Sequence, residues 1–195
     1  MSQIDTPKPQ PLRAVTSEES PLRIASVPAS CGLIGMTICP GKHSTTSLGG
    51  FGWERNLAID VSVIRDWGAT MVVTLMEDWE LSEYRVPTIG DVVRDAGMKW
   101  FHLPIIDGRA PDEGWEIAWK TEGKLLRTEL LRGGSILIHC LGGRGRTGTV
   151  AAQLLIELGE TVDDAIERIR SARDGMIETE EQEQYLRSLP RALRP

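Results

Sequence analysis

Residues 136–148 read ILIHCLGGRGRTG, and this stretch decides the fold prediction for the whole chain. The apolar run that ends at His139 predicts a buried strand, and the glycine-rich segment after it predicts a tight loop. Residues 149–158 continue with a helix-like pattern. A loop between a strand and the start of a helix is well suited to bind phosphate, because free backbone N–H groups meet there. The stretch therefore predicts an anion cradle with Cys140 at its base.

The residue types in this loop suit phosphoester chemistry. Glycines let a backbone adopt positive φ angles and approach a ligand closely, and four stand here: Gly142, Gly143, Gly145 and Gly148. Beside inward N–H groups and the positive end of a helix, we expect Cys140 to be a thiolate at neutral pH and therefore a nucleophile. The planar guanidinium of Arg146 can bind two phosphoryl oxygens. The Thr147 hydroxyl can donate to the sulfur when it leaves.

Less specific explanations compete for two residues of the stretch. A cysteine at the end of a buried strand is often only a small core residue, but the glycines and the Arg-Thr pair favour a nucleophile at Cys140. His139 is predicted to be a buried hydrogen-bonding residue that shapes the loop, rather than a general base. The phosphate group is predicted to contact the remaining residues of the loop, Leu141, Gly142, Gly143, Arg144 and Gly145.

The pattern His-Cys-x5-Arg-Thr resembles the active-site signature of the cysteine-dependent protein phosphatases, the protein tyrosine and dual-specificity superfamily. Three further segments resemble the kinase-associated phosphatase (cyclin-dependent kinase inhibitor 3 type) subgroup: ELSEYRVP at 80–87, LPIIDG at 103–108 and GMIETEEQEQYL at 175–186. The resemblance extends from about residue 34 to residue 189. It implies a single α/β catalytic domain of the dual-specificity phosphatase type.

The resemblance also implies an acid that protonates the leaving oxygen, and it assigns this role to Asp107, on the loop after the predicted strand 98–103. A positioned acid contributes about 10²- to 10⁴-fold to such reactions. Asp112 on the same loop is the alternative, and an Asp-Gly pair can also simply form a turn. Gln182 resembles a family glutamine near the substrate pocket. Its alternative is an exposed polar residue on a glutamate-rich helix.

The activity that the resemblance implies is hydrolysis of phosphotyrosine in a phosphorylated protein substrate, with phosphoserine and phosphothreonine as further candidates. The reaction would proceed through a cysteinyl-phosphate intermediate without a metal or other cofactor. Two alternatives stay open: the same loop could hydrolyse a small-molecule, lipid or nucleic-acid phosphate, or it could serve a phosphoprotein-binding module. A binding module needs neither a thiol nor an acid, which disfavours the last possibility.

Length and composition agree with one domain in a chain of 195 residues, of which 41% are hydrophobic and 26% charged. The net charge of −6 disfavours binding to nucleic acid or an anionic membrane. The cysteines form neither a metal-binding spacing nor a secreted disulfide framework: Cys31, Cys39 and Cys140. No apolar run approaches the ~20 residues of a membrane span. We expect a monomeric cytoplasmic protein.

Helical and strand patterns alternate along the chain, which predicts an α/β domain with a central, mainly parallel sheet flanked by helices. Residues 1–21 are polar and proline-bearing and are expected to form a loosely ordered arm, followed by the catalytic domain at 22–195. The predicted strands are 23–27, 33–38, 70–75, 98–103 and 135–139. The predicted helices are 54–67, 88–96, 112–131, 149–158, 162–172 and 179–189.

Two placements follow from these predicted elements. The strand that leads to Cys140 should be central, with the site at the carboxyl edge of the sheet. Residues 39–52 are predicted to form a long loop. This loop could bring Lys42 or His43 to the mouth of the pocket, with a mobile surface loop as the alternative.

Overall fold

The computed structural model describes residues 13–45 and 51–190. Within these ranges the strands are β1 (Ala14–Thr16), β2 (Ala25–Ala29), β3 (Gly32–Thr37), β4 (His43–Ser44), β5 (Gly52–Glu54), β6 (Ala69–Thr74), β7 (Lys99–His102) and β8 (Ser135–His139). The helices in the same ranges are α1 (Leu57–Asp66), α2 (Asp78–Glu83), α3 (Ile89–Asp95), α4 (Glu113–Leu131), α5 (Gly145–Glu157), α6 (Val162–Ala172) and α7 (Glu180–Ser188).

The central sheet has the strand order β2-β3-β8-β6-β7. Strands β3, β8, β6 and β7 run parallel, and β2 pairs antiparallel with β3 at one edge. The predictions of a mainly parallel sheet and of a central strand before Cys140 are therefore confirmed. Because parallel strands end at the same edge, the loop after β8 lies between the ends of β3 and β6.

Helices cover both faces of β8, which explains its uninterrupted apolar sequence. Ile136 and Ile138 pack in the core layer that includes α4, α5, α6 and α7. Leu137 points to the other face and packs in the layer with α1 and α3. All three side chains are fully buried. The strand that carries the loop is thus fixed on both sides.

Helix α5 begins at Gly145, four residues before the predicted start at residue 149. Arg146 and Thr147 therefore lie in the first helical turn, where the sequence predicts a loop. Glycine and threonine have low helix propensity, which is why the sequence favours a loop here. Packing overrides that preference, because every residue from 145 to 156 is buried.

The predicted loosely ordered arm over residues 1–21 is wrong for residues 13–21, which are ordered; residues 1–12 lie outside the described part of the chain. Strand β1 pairs in parallel with β5. The buried Ser17 hydroxyl accepts a hydrogen bond from the Asn56 backbone N–H at 2.9 Å. These partners lie about 40 residues further along the chain, so the polar composition of the arm could not reveal them.

Two other local features differ from the predictions. The loop predicted at 39–52 contains the short antiparallel pair β4 and β5, and residues 46–50 lie outside the described residues. Helix α2 lies in a segment for which the sequence predicts no element, and a capping box between Glu77 and Glu80 opens it. The other predicted helices and strands agree with the structure to within three residues at each end, apart from the start of α5.

Candidate active site

Cys140 follows directly after β8 and lies at the floor of the loop, where it is 4% exposed. The Gly143 backbone N–H donates to the Cys140 Sγ at 3.2 Å, and such a donor stabilises negative charge on the sulfur. Gly143 has a φ of +63°, and a Cβ atom there would lie 2.2 Å from the Thr37 carbonyl oxygen. The loop can therefore curl back over the sulfur only with glycine at this position.

Two cations hold the outer side of the loop, which we call the phosphate loop (residues 140–146). Lys42 Nζ donates to the Leu141 carbonyl at 3.2 Å, and the Arg173 guanidinium donates to the carbonyls of Gly143 and Gly142 at 3.0 and 3.2 Å. With these carbonyls turned to the cations, the N–H groups can face the opposite, inner side. Lys42 is buried against the loop, so the structure does not support its placement at the pocket mouth.

The guanidinium of Arg146 is fixed by a buried carboxylate that the sequence did not predict. Its Nη1 and Nη2 donate to the two carboxylate oxygens of Glu80 at 2.6 and 2.9 Å, and both side chains are at most 2% exposed. The Ile105 carbonyl also accepts from Nη1 at 3.1 Å. Burial alone would lower the pKa of Arg146, but the hydrogen bonds to Glu80 raise it above its ordinary value. The guanidinium is therefore a permanent positive charge.

Asp107, the predicted acid, lies on the loop between β7 and α4 with a side chain that is 68% exposed. Its Oδ1 lies 2.9 Å from Arg146 Nη2, so the carboxyl group contacts the predicted phosphate-binding side chain directly. Asp112, the alternative acid, has a different position. Its Oδ1 accepts from the Trp115 backbone N–H at 2.8 Å and caps the start of α4. The geometry therefore favours Asp107 over Asp112.

Besides His139 Nδ1, two buried polar atoms near the loop have no hydrogen-bond partner within the described residues, Arg146 Nε and Thr147 Oγ1. Unpaired buried polar groups are rare in folded proteins, and each needs a physical explanation. Arg146 Nε is therefore free to donate to an oxyanion above Cys140, whereas the Thr147 hydroxyl makes no hydrogen bond to the Cys140 sulfur in this structure. The predicted roles of both residues stay predictions.

His139 is fully buried at the end of β8, as predicted. Its Nε2 lies 2.8 Å from Thr74 Oγ1, and this hydroxyl accepts from the Trp100 indole N–H at 2.8 Å. Burial lowers the pKa of His139 to about 3, so the ring is neutral at physiological pH. A neutral ring with this hydrogen bond supports the strand end from within.

The N–H group of Gly145, which is predicted to contact phosphate, is bound by a carboxylate of the same chain. The Glu178 Oε2 accepts from this N–H at 2.9 Å. Glu178 follows Ile177, a non-glycine residue with a φ of +58°. The carboxylate thus binds an amide of the predicted cradle, where a substrate phosphate would be the competing anion.

Gln182 is fully buried, so the alternative of an exposed polar residue is wrong. Its Oε1 accepts from the backbone N–H groups of Glu178 and Thr179 at 2.9 and 3.3 Å, and its Nε2 donates to the Arg109 carbonyl at 3.2 Å. A Cβ atom on Gly145 would lie 3.0 Å from the Gln182 amide. Gln182 thus connects the start of α7 to the loop of Asp107 and packs against the phosphate loop.

Sequence reasoning missed the three residues that brace the site: Glu80, Arg173 and Glu178. Glu80 lies 66 positions before its partner Arg146. The resemblance of residues 80–87 pointed to that segment but assigned no role within it. Arg173 and Glu178 lie around the third resembling segment, where a charged residue carries no local signal of its partner. Only the tertiary structure brings these side chains to the loop.

Residues 13–45 and 51–190 contain neither a metal-binding cluster nor a membrane-spanning helix. No three His, Cys, Asp or Glu side chains in these ranges are grouped as a metal site. Every helix in the same ranges is too short or too polar to cross a lipid bilayer.

The chain is similar to proteins of known family. A family model described as cyclin-dependent kinase inhibitor 3 (CDKN3) matches residues 3–167. The cyclin-dependent kinase inhibitor 3 of Rattus norvegicus is 34% identical over 178 residues, which cover 87% of this chain and 79% of the relative. The protein of the same name from Homo sapiens is 31% identical over 192 residues, which cover 95% of this chain and 85% of the relative.

A solved structure shows the same fold. The crystal structure of kinase-associated phosphatase, with its catalytic cysteine substituted by serine, superposes with a TM-score of 0.75 at 29% sequence identity. The match covers 86% of this chain and 93% of that chain.

Proposed function

The chain belongs to the cyclin-dependent kinase inhibitor 3 family, and on this premise we propose that it hydrolyses phosphotyrosine in a protein substrate through a cysteinyl-phosphate intermediate. It is a cysteine-dependent protein phosphatase. The observation that supports the cysteinyl-phosphate mechanism is the loop in which the Gly143 N–H donates to the Cys140 sulfur, with Arg146 anchored beside it. Phosphoserine and phosphothreonine are further candidate substrates of the same site.

In the first step the Cys140 thiolate attacks phosphorus in line with the leaving side-chain oxygen. The S–P bond forms while the P–O bond breaks, and the Asp107 carboxyl group gives its proton to the departing oxygen. Arg146 and the N–H groups of the phosphate loop hold the equatorial oxygens, where negative charge must be stabilised. The Asp107 carboxyl group lies 2.9 Å from Arg146, next to the side chain that would hold the phosphoryl oxygens.

In the second step water attacks the cysteinyl phosphate. Asp107, now a carboxylate, accepts a proton from that water, and the S–P bond breaks to release phosphate. The Thr147 hydroxyl donates a hydrogen bond to the departing Cys140 sulfur. In the structure Thr147 Oγ1 is buried and makes no hydrogen bond to any described residue, Cys140 included, so this donation belongs to the reaction itself. His139 stays neutral and takes no proton.

We also propose a phosphorylated protein as the partner and a monomer as the working form. Because the similar solved structure is named kinase-associated phosphatase, a phosphorylated protein kinase is the first protein substrate to test.

The test uses phosphotyrosyl, phosphoseryl and phosphothreonyl peptides with excess chelator present. Acid quenching of the wild-type reaction, followed by mass spectrometry, should detect phosphate on Cys140. The variant Cys140→Ser should lose turnover while it still binds tungstate. The matched control is Cys31→Ser, since Cys31 is exposed. Full turnover by Cys140→Ser, or phosphate on any other residue, would contradict the proposal.

A further inference from the structure

A groove runs beside the loop of Asp107 and has a volume of about 780 Å³. We call it the acid-loop groove and define it by its lining residues: Glu77, Asp78, Trp79, Pro104, Ile105, Ile106, Arg109, Ala110, Pro111, Asp112 and Glu181. Its walls are the start of α2, the first turn of α7 and both flanks of the loop between β7 and α4, which carries Asp107 and which we call the acid loop (residues 103–112). The mechanism above uses none of its exposed side chains.

The groove presents two large apolar side chains to solvent. Trp79 is 62% exposed and Ile106 is 56% exposed. The indole N–H of Trp79 donates to Glu77 Oε2 at 3.0 Å, and this hydrogen bond favours the observed orientation of the ring over the groove. A large, oriented aromatic ring on a surface groove is typical of a site that binds a polypeptide, because it buries much area at a small entropic cost.

The charge of the groove is opposite to that of the phosphate loop. Four carboxylates line it: Glu77, Asp78, Asp112 and Glu181. Arg109 is the one basic residue among the lining residues, and it is already paired with Glu181 at 3.3 Å. The Asp78 side chain is 93% exposed, and its Oδ1 lies 3.8 Å from His102 Nδ1, so most of the carboxylate is open to a ligand. The phosphate loop, in contrast, contains Arg146, and Arg173 and Lys42 donate hydrogen bonds to its carbonyls. One ligand that carries a phosphoryl group and nearby positive charges would complement both surfaces.

The position of the groove connects it to the reaction. Ile106 directly precedes Asp107, and the Ile105 carbonyl accepts from Arg146. A phosphorylated residue whose leaving oxygen lies at Asp107 therefore has its neighbouring residues within reach of the groove.

We propose that the acid-loop groove binds the polypeptide flank of the phosphorylated residue and selects a flank with Lys or Arg side chains beside an apolar residue. This inference rests on the proposed function, because it needs a phosphoprotein in the site. The carboxylates attract the basic side chains, and Trp79 and Ile106 cover the apolar one.

The test compares phosphotyrosyl peptides that differ only in their flanks, which are Arg-rich, neutral or Glu-rich around one leucine. We expect kcat/KM for the Arg-rich peptide to exceed that for the Glu-rich peptide about tenfold at low salt, and the ratio should shrink as salt rises. Asp78→Lys should lower the ratio about fivefold, and Trp79→Ala should lower kcat/KM for the leucine peptides but not for a matched peptide with serine in place of the leucine. The matched control is Asp95→Lys, an exposed charge reversal near the end of α3.

The outcomes separate this inference from the proposed function. Wild-type hydrolysis of a small aryl phosphate reports on the phosphatase chemistry alone, and its absence would remove the proposed function. Normal hydrolysis together with equal kcat/KM for Arg-rich and Glu-rich peptides would overturn the groove assignment only. A ratio that Asp78→Lys and Asp95→Lys lower equally would overturn it too. Dimerisation that Trp79→Ala abolishes would assign the groove to a second copy of the chain and not to substrate.

Discussion

The phosphate loop and the acid loop meet at Arg146 but are built in opposite ways. Arg146 is 1% exposed and bonded to a buried carboxylate, and cations hold the outward carbonyls of its loop. The Asp107 side chain is 68% exposed, and the residue before it, Ile106, is exposed as well. The nucleophile is therefore held in place before substrate arrives, whereas the acid lies where a bound substrate can reposition it.

Because of this difference, substitutions in the acid loop should lower activity alone. Substitutions of the residues that hold the phosphate loop and Arg146 in place should lower both the activity and the free energy of unfolding. Four measurements test this difference between the two loops.

The largest effect should follow Asp107→Asn. Without an acid, kcat for a phosphotyrosyl peptide should fall about 10²- to 10³-fold, while an activated aryl phosphate should lose roughly tenfold or less. The melting temperature should stay unchanged, because the side chain is mostly exposed. The control is Asp112→Asn, since asparagine also caps a helix well. Equal losses for both leaving groups would exclude Asp107 as the acid.

Glu80→Gln should affect both activity and stability. Removing one charge of a buried pair leaves the other uncompensated and typically costs about 3–5 kcal/mol, and glutamine recovers part of this through one hydrogen bond. We expect a loss of about 2 kcal/mol in urea denaturation and a roughly tenfold fall in kcat/KM. The control is Glu83→Gln, an exposed residue on the same helix. An unchanged free energy of unfolding in Glu80→Gln would show that the pair of Glu80 and Arg146 does not hold the site in place before substrate binds.

Glu178→Gln should strengthen oxyanion binding several-fold. The carboxylate at the Gly145 N–H repels an incoming phosphate, and glutamine keeps an acceptor without the charge. The inhibition constant of orthovanadate should fall about fivefold, with Glu180→Gln as the control on the same segment. A weaker affinity for vanadate in the variant would mean that Glu178 assists the anion and does not compete with it.

The last measurement is the pH dependence of stability from His139. Its pKa is about 3 in the folded chain because of burial, against about 6.5 when the ring is exposed by unfolding. Between these values the unfolded state binds a proton that the folded state does not, so the free energy of unfolding falls as the pH drops from about 6.5 towards 3. Urea midpoints at pH 7, 5.5 and 4.5 should decline more steeply in the wild type than in His139→Gln. Parallel declines would contradict a buried neutral ring.

Local patterns predicted the elements that local forces determine. Strand β8 and helix α6 have the predicted bounds, because a continuous apolar run and a Thr161 cap are short-range signals. The start of α5 could not be predicted, since its glycines and threonines form a helical turn only when the core encloses them.

The same limit applies to the site. Cys140, Arg146 and Thr147 are close in sequence, so their spacing alone suggested a cradle. Glu80 and Arg173 reach the same loop from distant segments, and no local pattern records which buried group a charged side chain will meet.

The hydrogen bonds of Arg173 to the phosphate loop also limit which fragments of the chain can keep the site intact. The stretch from Cys140 to Thr147 would survive intact in a fragment that stops at Ala172, yet two of its carbonyl oxygens would lose their only cationic anchor among the described residues. A shortened enzyme of this type therefore needs more than its signature sequence, because the segment after α6 holds the loop that carries the nucleophile.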